Sequence, residues 1–411
     1  MRLSRSFRLL WAATAISNIG DGLRLTALPL LATSVTTDPR AIAGVALAER
    51  IPWLLFILPG GAWADRHDRR VLRMRLDGAR AIVMAGLVAA IATDHVSMAA
   101  IYAVAALLAS AEAVVDSSSM ALVPATVEQH QLERANGLLS STELVTNALI
   151  GPPLGGLLFG LAMAVPFGID TASFAAAAVT MALLPGTFRA TGSPVDRGSL
   201  RGEITDGFRW FWSRPPLRNL ALVSMALGFA DFLGGAVFVL FATQTLHLSS
   251  TGYGLLLVPA ALGGVAGSML AGRLTRRPLR LVLSVAILVA GASTLAVSAS
   301  SSPVMVGALS ALTTASALVW NVLTIALRQR VVPAELLGRV GASYRFLVYA
   351  GMPFGALAGG ALAHAWGIRA AIAAGGAMLV VVGLAIPQLL RGAQATPPAA
   401  GAGSLAADIV S

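Results

Sequence analysis

The stretch Gly61-Ala62-Trp63-Ala64-Asp65-Arg66-His67-Asp68-Arg69-Arg70 places a dense charged turn between two long apolar segments. The surrounding chain has 411 residues, of which 56% are hydrophobic and 12% charged, and its mean hydropathy is +0.78. An ordinary soluble domain is roughly a quarter charged, so this composition points to a membrane protein. An apolar helix of about 20 residues crosses a hydrocarbon core of about 30 Å. Runs of that length recur at 8–32, 41–63, 78–93, 97–122, 138–161, 164–185, 219–246, 252–272, 279–299, 303–327, 342–363 and 368–390, which predicts twelve spans. The turn at 61–70 then becomes the connection between the second and third.

The net charge of +10 has a sided distribution. With the N-terminus inside, Arg2, Arg5, Arg8, the arginines of 66–80, Arg134, those of 189–218, Arg273, Arg276, Arg277, Arg280, Arg328, Arg330, Arg339 and Arg391 fall on one side. Only Arg40 and Arg369 fall on the other. This positive-inside asymmetry predicts an even span count and both termini in the cytoplasm of a bacterial inner membrane. No nucleic-acid partner is expected, because no soluble basic domain exists to carry one. The first run holds Asp21 and Arg24 and lacks a small-residue cleavage pattern, so it is expected to stay as a span. There are no cysteines, hence no disulfides and no thiolate metal site.

The turn reads G-x-x-x-D-R-x-x-R-R and resembles the loop between the second and third helices of the major facilitator superfamily of transporters. Trp63 and Asp68 depart from that family's usual Leu and Gly. The resemblance implies a gating loop of Gly61, Asp65, Arg66, Arg69 and Arg70, in which Asp65 and its arginines hold the ends of spans 2 and 11 together near Gly338 to Tyr344. It implies an all-α polytopic fold of twelve transmembrane helices in two six-helix pseudo-repeats. The sequence itself contains echoes about 204 to 205 residues apart: Leu132–Asn136 with Leu337–Gly341, and Gly151–Gly156 with Gly355–Gly360. Asp21 in span 1 is likewise echoed by Asp231 in span 7. The expected domains are a bundle over 1–188, a cytoplasmic linker over 189–218, a second bundle over 219–391 and a disordered tail over 392–411. In the linker, Ile204, Phe208, Phe211 and Trp212 recur at helical spacing and predict a short helix on the membrane surface.

A second motif, Gly151-Pro152-Pro153-Leu154-Gly155-Gly156, resembles the antiporter motif of the family's drug exporters, and its key positions are Gly151, Pro152, Gly155 and Gly156. Proline bends a helix and glycines permit close crossing, so a contact with span 8 at Gly263, Gly264 and Gly267 is expected. The segment Val123-Pro124 followed by Leu132–Gly137 is similar to the subgroup of enterobactin exporters and macrolide efflux proteins. Ionisable residues at membrane depth are costly there and face cavities or one another. Asp21, Arg24, Glu112 and Asp231 are therefore candidates for proton coupling, either as titrating groups or as static pairs such as Asp21 with Arg24 and Glu112 with Arg50. Asn18, Asp21 and Arg24 share one helix face, as do Glu112 and Asp116.

Candidate cavity residues are Asn18, Phe232, Trp320, Asn321, Phe346 and Tyr349, with Tyr344 beside them; aromatics either stack on a solute or anchor at the interface. The five histidines show no metal-ligand spacing, and a chain without lysine has no phosphate-binding loop. Neither metal nor cofactor is expected, and enzyme chemistry is excluded. The sequence reads as a monomeric secondary transporter that exports an amphipathic molecule, a drug, siderophore or secondary metabolite, in exchange for protons. A metabolite facilitator or symporter, and a transport-inactive scaffold or sensor, stay open as alternatives.

Overall fold

The computed structural model describes residues 3–56, 66–189, 208–333 and 336–390. Gly61 and Asp65 of the predicted gating loop lie outside these residues, as do Ile204 of the predicted linker helix and the tail. Every regular element among the described residues is helical: α1 Arg5–Val35, α2 Pro39–Phe56, α3 Arg69–Ala92, α4 Met98–Thr126, α5 Leu132–Glu143, α6 Gly151–Leu161, α7 Val165–Ala182, α8 Pro215–Gly235, α9 Ser250–Leu274, α10 Leu279–Ala299, α11 Pro303–Val331, α12 Leu337–Trp366 and α13 Ile368–Leu389.

Local sequence sets the helix ends. Ser4, Ser97, Ser249 and Ser302 each accept a hydrogen bond from a backbone N–H in the first turn that follows, satisfying donors a helix start leaves open. Gly367 separates α12 from α13 at φ 89°, a conformation open to glycine and strained for other residues. Leu144–Ile150 forms a π-helical turn joining α5 to α6. There Gly151 N–H reaches back five residues to the Thr146 carbonyl, and Pro152 and Pro153, which lack N–H donors, follow directly.

Among the described residues, nine helical segments are long and apolar enough to cross a membrane: Met98–Ser119, Gln129–Leu161, Val165–Ala182, Pro215–Thr245, Ser250–Leu274, Leu279–Ala299, Pro303–Val331, Val340–Trp366 and Ile368–Leu389. The other three predicted runs correspond to α1, α2 and α3. These are helical but interrupted by charge: Asp21 and Arg24 in α1, Glu49 and Arg50 in α2, and Arg73, Asp77 and Arg80 in α3.

Helices α1–α7 pack chiefly among themselves, and so do α8–α13; the main bridges between the two groups are α2 against α12 and α6 against α9. The glycines explain both arrangements. A side chain at Gly155 would strike the Leu23 backbone of α1, and one at Gly359 the Leu233 backbone of α8. The next residue in each case faces the other group: Gly156 abuts Ser250 of α9, and Gly360 abuts Pro39, Arg40 and Ala43 of α2. The Gly-Pro motif thus meets the expected span, α9, but at residues other than the expected Gly263, Gly264 and Gly267. Gly254 lies against Pro152 and Pro153, whereas Gly263 and Gly267 are filled by Ala311 and Ala315 of α11. Phe208–Trp212 is helical, yet Phe211 is fully buried and meets Tyr344 edge-on at 6.5 Å. This part of the linker is docked on the second helix group.

Candidate functional site

The first helix group holds a network of charges that sequence reading found only in part. Asp21, 7% exposed, accepts hydrogen bonds from Arg24 at 3.0 Å, Arg80 at 2.7 Å and Ser17 at 3.3 Å. Arg24, also buried, reaches Glu112 at 3.4 Å, Glu49 at 3.7 Å and Asp170 at 3.8 Å. Arg80 adds Asp77 at 3.5 Å and lies 3.9 Å over the Phe174 ring. Arg73 pairs with Asp77 at 3.6 Å and donates to Ser119 at 2.6 Å. The expected Asp21–Arg24 pair is present; Glu112, however, pairs with Arg24, while Arg50 sits 5.2 Å over Phe232.

Five carboxylates, Asp21, Glu49, Asp77, Glu112 and Asp170, thus share three guanidiniums, Arg24, Arg73 and Arg80. Isolated buried charges are prohibitively costly and are kept only when paired; Arg24 touches four of the acids and Arg80 two, while Arg73 touches Asp77 alone. Glu49, Asp77, Arg80 and Asp170 were not among the predicted site residues. The signal that singled out Asp21, an ionisable residue inside an apolar run, applied equally to Asp170 in the run 164–185.

A cavity of about 220 Å³ adjoins this network, lined by Asn18, Asp21, Arg73, Arg80, Glu112, Asp116 and Glu143 among others. A second, of about 370 Å³, lies in the other helix group, where Asp231, Trp320, Asn321, Thr324, Arg328 and Tyr344 contribute to its wall. Asp231 also lines a smaller neighbour of about 230 Å³ with Phe238 and Thr294. The predicted cavity residues therefore divide. Asn18 faces the first cavity, and Trp320 and Asn321 the second. Phe232 lies under Arg50, Tyr349 meets Trp53 edge-on at 6.4 Å, and Phe346 lines neither cavity.

The described part of the charged turn is a capping structure. Asp68 accepts from Arg70 N–H at 3.0 Å and Val71 N–H at 3.3 Å at the start of α3, and from Phe188 N–H at 3.2 Å. Arg70 donates to the carbonyls of Met181, Ala182 and Gly186 at 2.8–3.2 Å, where a helix end leaves acceptors unfilled and favours a cation. This ties α3 to α7 within one helix group. Arg66 is exposed. At the opposite end of the bundle, Asp38 accepts from Arg40 at 3.1 Å and contacts His364 of α12 at 3.3 Å. Arg40's hydrogen bonds hold the Asp38 carboxyl below the usual carboxylate range.

Long apolar helices that enclose paired charges and internal cavities define a multi-pass membrane transporter. The chain belongs to the transmembrane secretion effector family of the major facilitator superfamily, whose profile matches residues 3–396. Among characterised relatives, the multidrug efflux pump Tap of Mycolicibacterium fortuitum is 26% identical over 93% of each chain. The enterobactin exporter EntS of Salmonella typhi is 25% identical over 97% of this chain and 96% of its own. The fold is shared with a bacterial homologue of the human lysosomal transporter Spinster, inward-facing and unoccupied, at TM-score 0.74 and 16% identity over 96% of this chain and 98% of that one. It is also shared with an inward-facing bacterial homologue of the iron transporter ferroportin, at TM-score 0.74 and 17% identity over 95% and 100%. The family and these relatives are transporters, not enzymes.

Proposed function

We propose that this chain is a proton-driven exporter of amphipathic small molecules in a bacterial inner membrane, working by alternating access. The observation that carries the reading is the shortage of positive charge in the network around Asp21. Five acids held by three arginines are neutralised by taking up protons, and Glu112, which has one ion-pair partner among the described residues and borders the cavity, is the acid best placed to exchange one with water. A bound solute and that proton favour opposite steps of the conformational cycle, and such negative coupling is the basis of exchange. Asp21, bound by two arginines and a serine, holds the network in register.

In this reading α1–α7 and α8–α13 are two six-span bundles, α5 and α6 acting as one span and twelve spans in all. The paired glycines at 155–156 and 359–360, each facing its own bundle and then the other, support the repeat. The termini lie with the Arg-rich cytoplasmic end, and Asp65 closes that end when the molecule faces outward. That the relatives Tap and EntS are an efflux pump and an exporter supports export over uptake.

The test uses the purified protein in liposomes oriented by a pH gradient. A fluorescent amphipathic dye moves against its own gradient when protons flow the other way, and a protonophore stops it. Transport that continues down the dye's gradient after the protonophore assigns a facilitator instead, and no transport of any tested amphiphile removes the exporter reading.

A further inference from the structure

The two helix groups treat their carboxylates differently. In the first, the acids of the network share arginines. In the second, Asp231 is exposed to two adjoining cavities and forms no ion pair or hydrogen bond among the described residues. The nearest candidate cation, Arg50, acts on Asp231 only through space, its guanidinium lying over the neighbouring Phe232 ring. Arg328, the cation in the larger cavity's wall, is engaged elsewhere: it stacks 3.7 Å over Tyr344 and its Nε donates to the Thr324 carbonyl at 3.3 Å.

The wall facing Asp231 is fixed. The Trp320 indole N–H donates to Ser224 Oγ at 3.3 Å, and Ser224 and the Tyr344 hydroxyl lie 2.6 Å apart. All three residues are buried to within a few percent, so two aromatic rings are held in place before any ligand arrives. Leu227, Val348 and Met352 complete an apolar floor, and Asn321 supplies an exposed amide. A carboxylate with no ion-pair partner among the described residues, set in an apolar, aromatic cavity, presents a negative field that Arg50 offsets only from a distance. The complement is a lipophilic cation with its charge at Asp231 and its apolar body against the Trp320 side.

We propose that the cavity of about 370 Å³ is a binding site for lipophilic organic cations, with Asp231 as the charge-reading residue. The site deepens the exporter reading and rests on it for its place in transport. It also reassigns Asp231: the first helix group handles the proton, and Asp231 reads the solute.

Binding needs no gradient, so it is measured on the full-length purified protein with tetraphenylphosphonium and with tetraphenylborate, a pair of nearly equal shape and opposite charge. The native protein is expected to favour the cation, and Asp231→Asn to weaken cation binding by about 10-fold or more while gaining affinity for the anion. Asp231→Glu keeps the preference. Because Asp231→Asn could fail to fold, location is tested separately: in this cysteine-free chain, tetraphenylphosphonium should slow maleimide labelling of Asn321→Cys, and tetraphenylborate should not. An unchanged charge preference in a folded Asp231→Asn protein, a native protein that prefers the anion or binds neither ion, or unprotected Asn321→Cys each overturns the proposal. Dye transport in the liposome assay reports on the exporter reading whichever way these results fall.

Discussion

Asp21 and Glu112 share Arg24 as a partner but differ in how tightly they are held. Asp21 accepts from three side chains and is 7% exposed, whereas the Glu112 side chain is 32% exposed and reaches one arginine at 3.4 Å. Removing one partner from a buried pair strands the other charge at a cost of about 3–5 kcal/mol. Asp21→Asn should therefore lower the melting temperature and the yield of folded protein. Glu112→Gln should melt close to the native protein while losing proton-driven dye movement, with downhill binding intact. A fully coupled Glu112→Gln protein would remove Glu112 from the proton path. Asp38 behaves differently because it lies at a connection outside the spans. Its folded pKa is depressed below the ordinary value of about 3.9, so its contribution is complete above that value and fades as pH falls through the lower folded one. The stability gap between native protein and Asp38→Asn should be small at neutral pH and should close below about pH 4. A gap that persisted well below pH 4 would contradict the Arg40 pairing. Asp21, Arg24 and Glu112 were legible in the sequence because a charge inside an apolar run announces itself. Arg80 was not: it contacts Asp21 across 59 residues of chain, and among its neighbours Arg73 and Arg75 it reads as one more topology-setting arginine.

Among the elements, α6 carries its information in two consecutive residues. Gly155 faces α1 of its own group and Gly156 faces α9 of the other, in both cases against backbone that has no flexible side chain to move aside. Gly155→Val should consequently impair folding, seen as lost yield and aggregation. Gly156→Val should leave each helix group folded but force α6 and α9 apart. Spin labels on α6 and α9 would report a longer distance in the second variant, with transport lost; an unchanged distance would show that the contact has room to spare. The Gly-Pro motif itself was readable from composition, since glycine beside proline in a span has few other uses. Its partner was not readable, because α9 offers several small residues. Gly254 was selected over Gly263 and Gly267 by α11, whose Ala311 and Ala315 fill the latter two positions.

At the scale of the whole molecule, charge asymmetry along the sequence gives an expectation of which connections share an end, but says nothing of how the two helix groups meet there. Closure depends on contacts between residues more than 300 apart, such as Asp38 with His364 and Gly360 with Arg40. Among the described residues, these place bridges between the helix groups at the Arg-poor end, with Ser250 against Gly156 and Gly160 on the other flank. Two bridges, α2–α12 and α6–α9, join the groups there, so the proposed alternating access requires both to part in the same cycle. Fixing one of them should therefore stop transport. Asp38→Cys with His364→Cys provides the means in a chain with no other thiol. A short bifunctional thiol reagent joining the pair should abolish dye movement, and a reducible version should restore it on reduction, while each single-cysteine protein stays active. Full transport through a crosslinked molecule would mean that the Arg-poor end does not open during the cycle, and the two-gate account would have to be abandoned for a fixed path through one helix group.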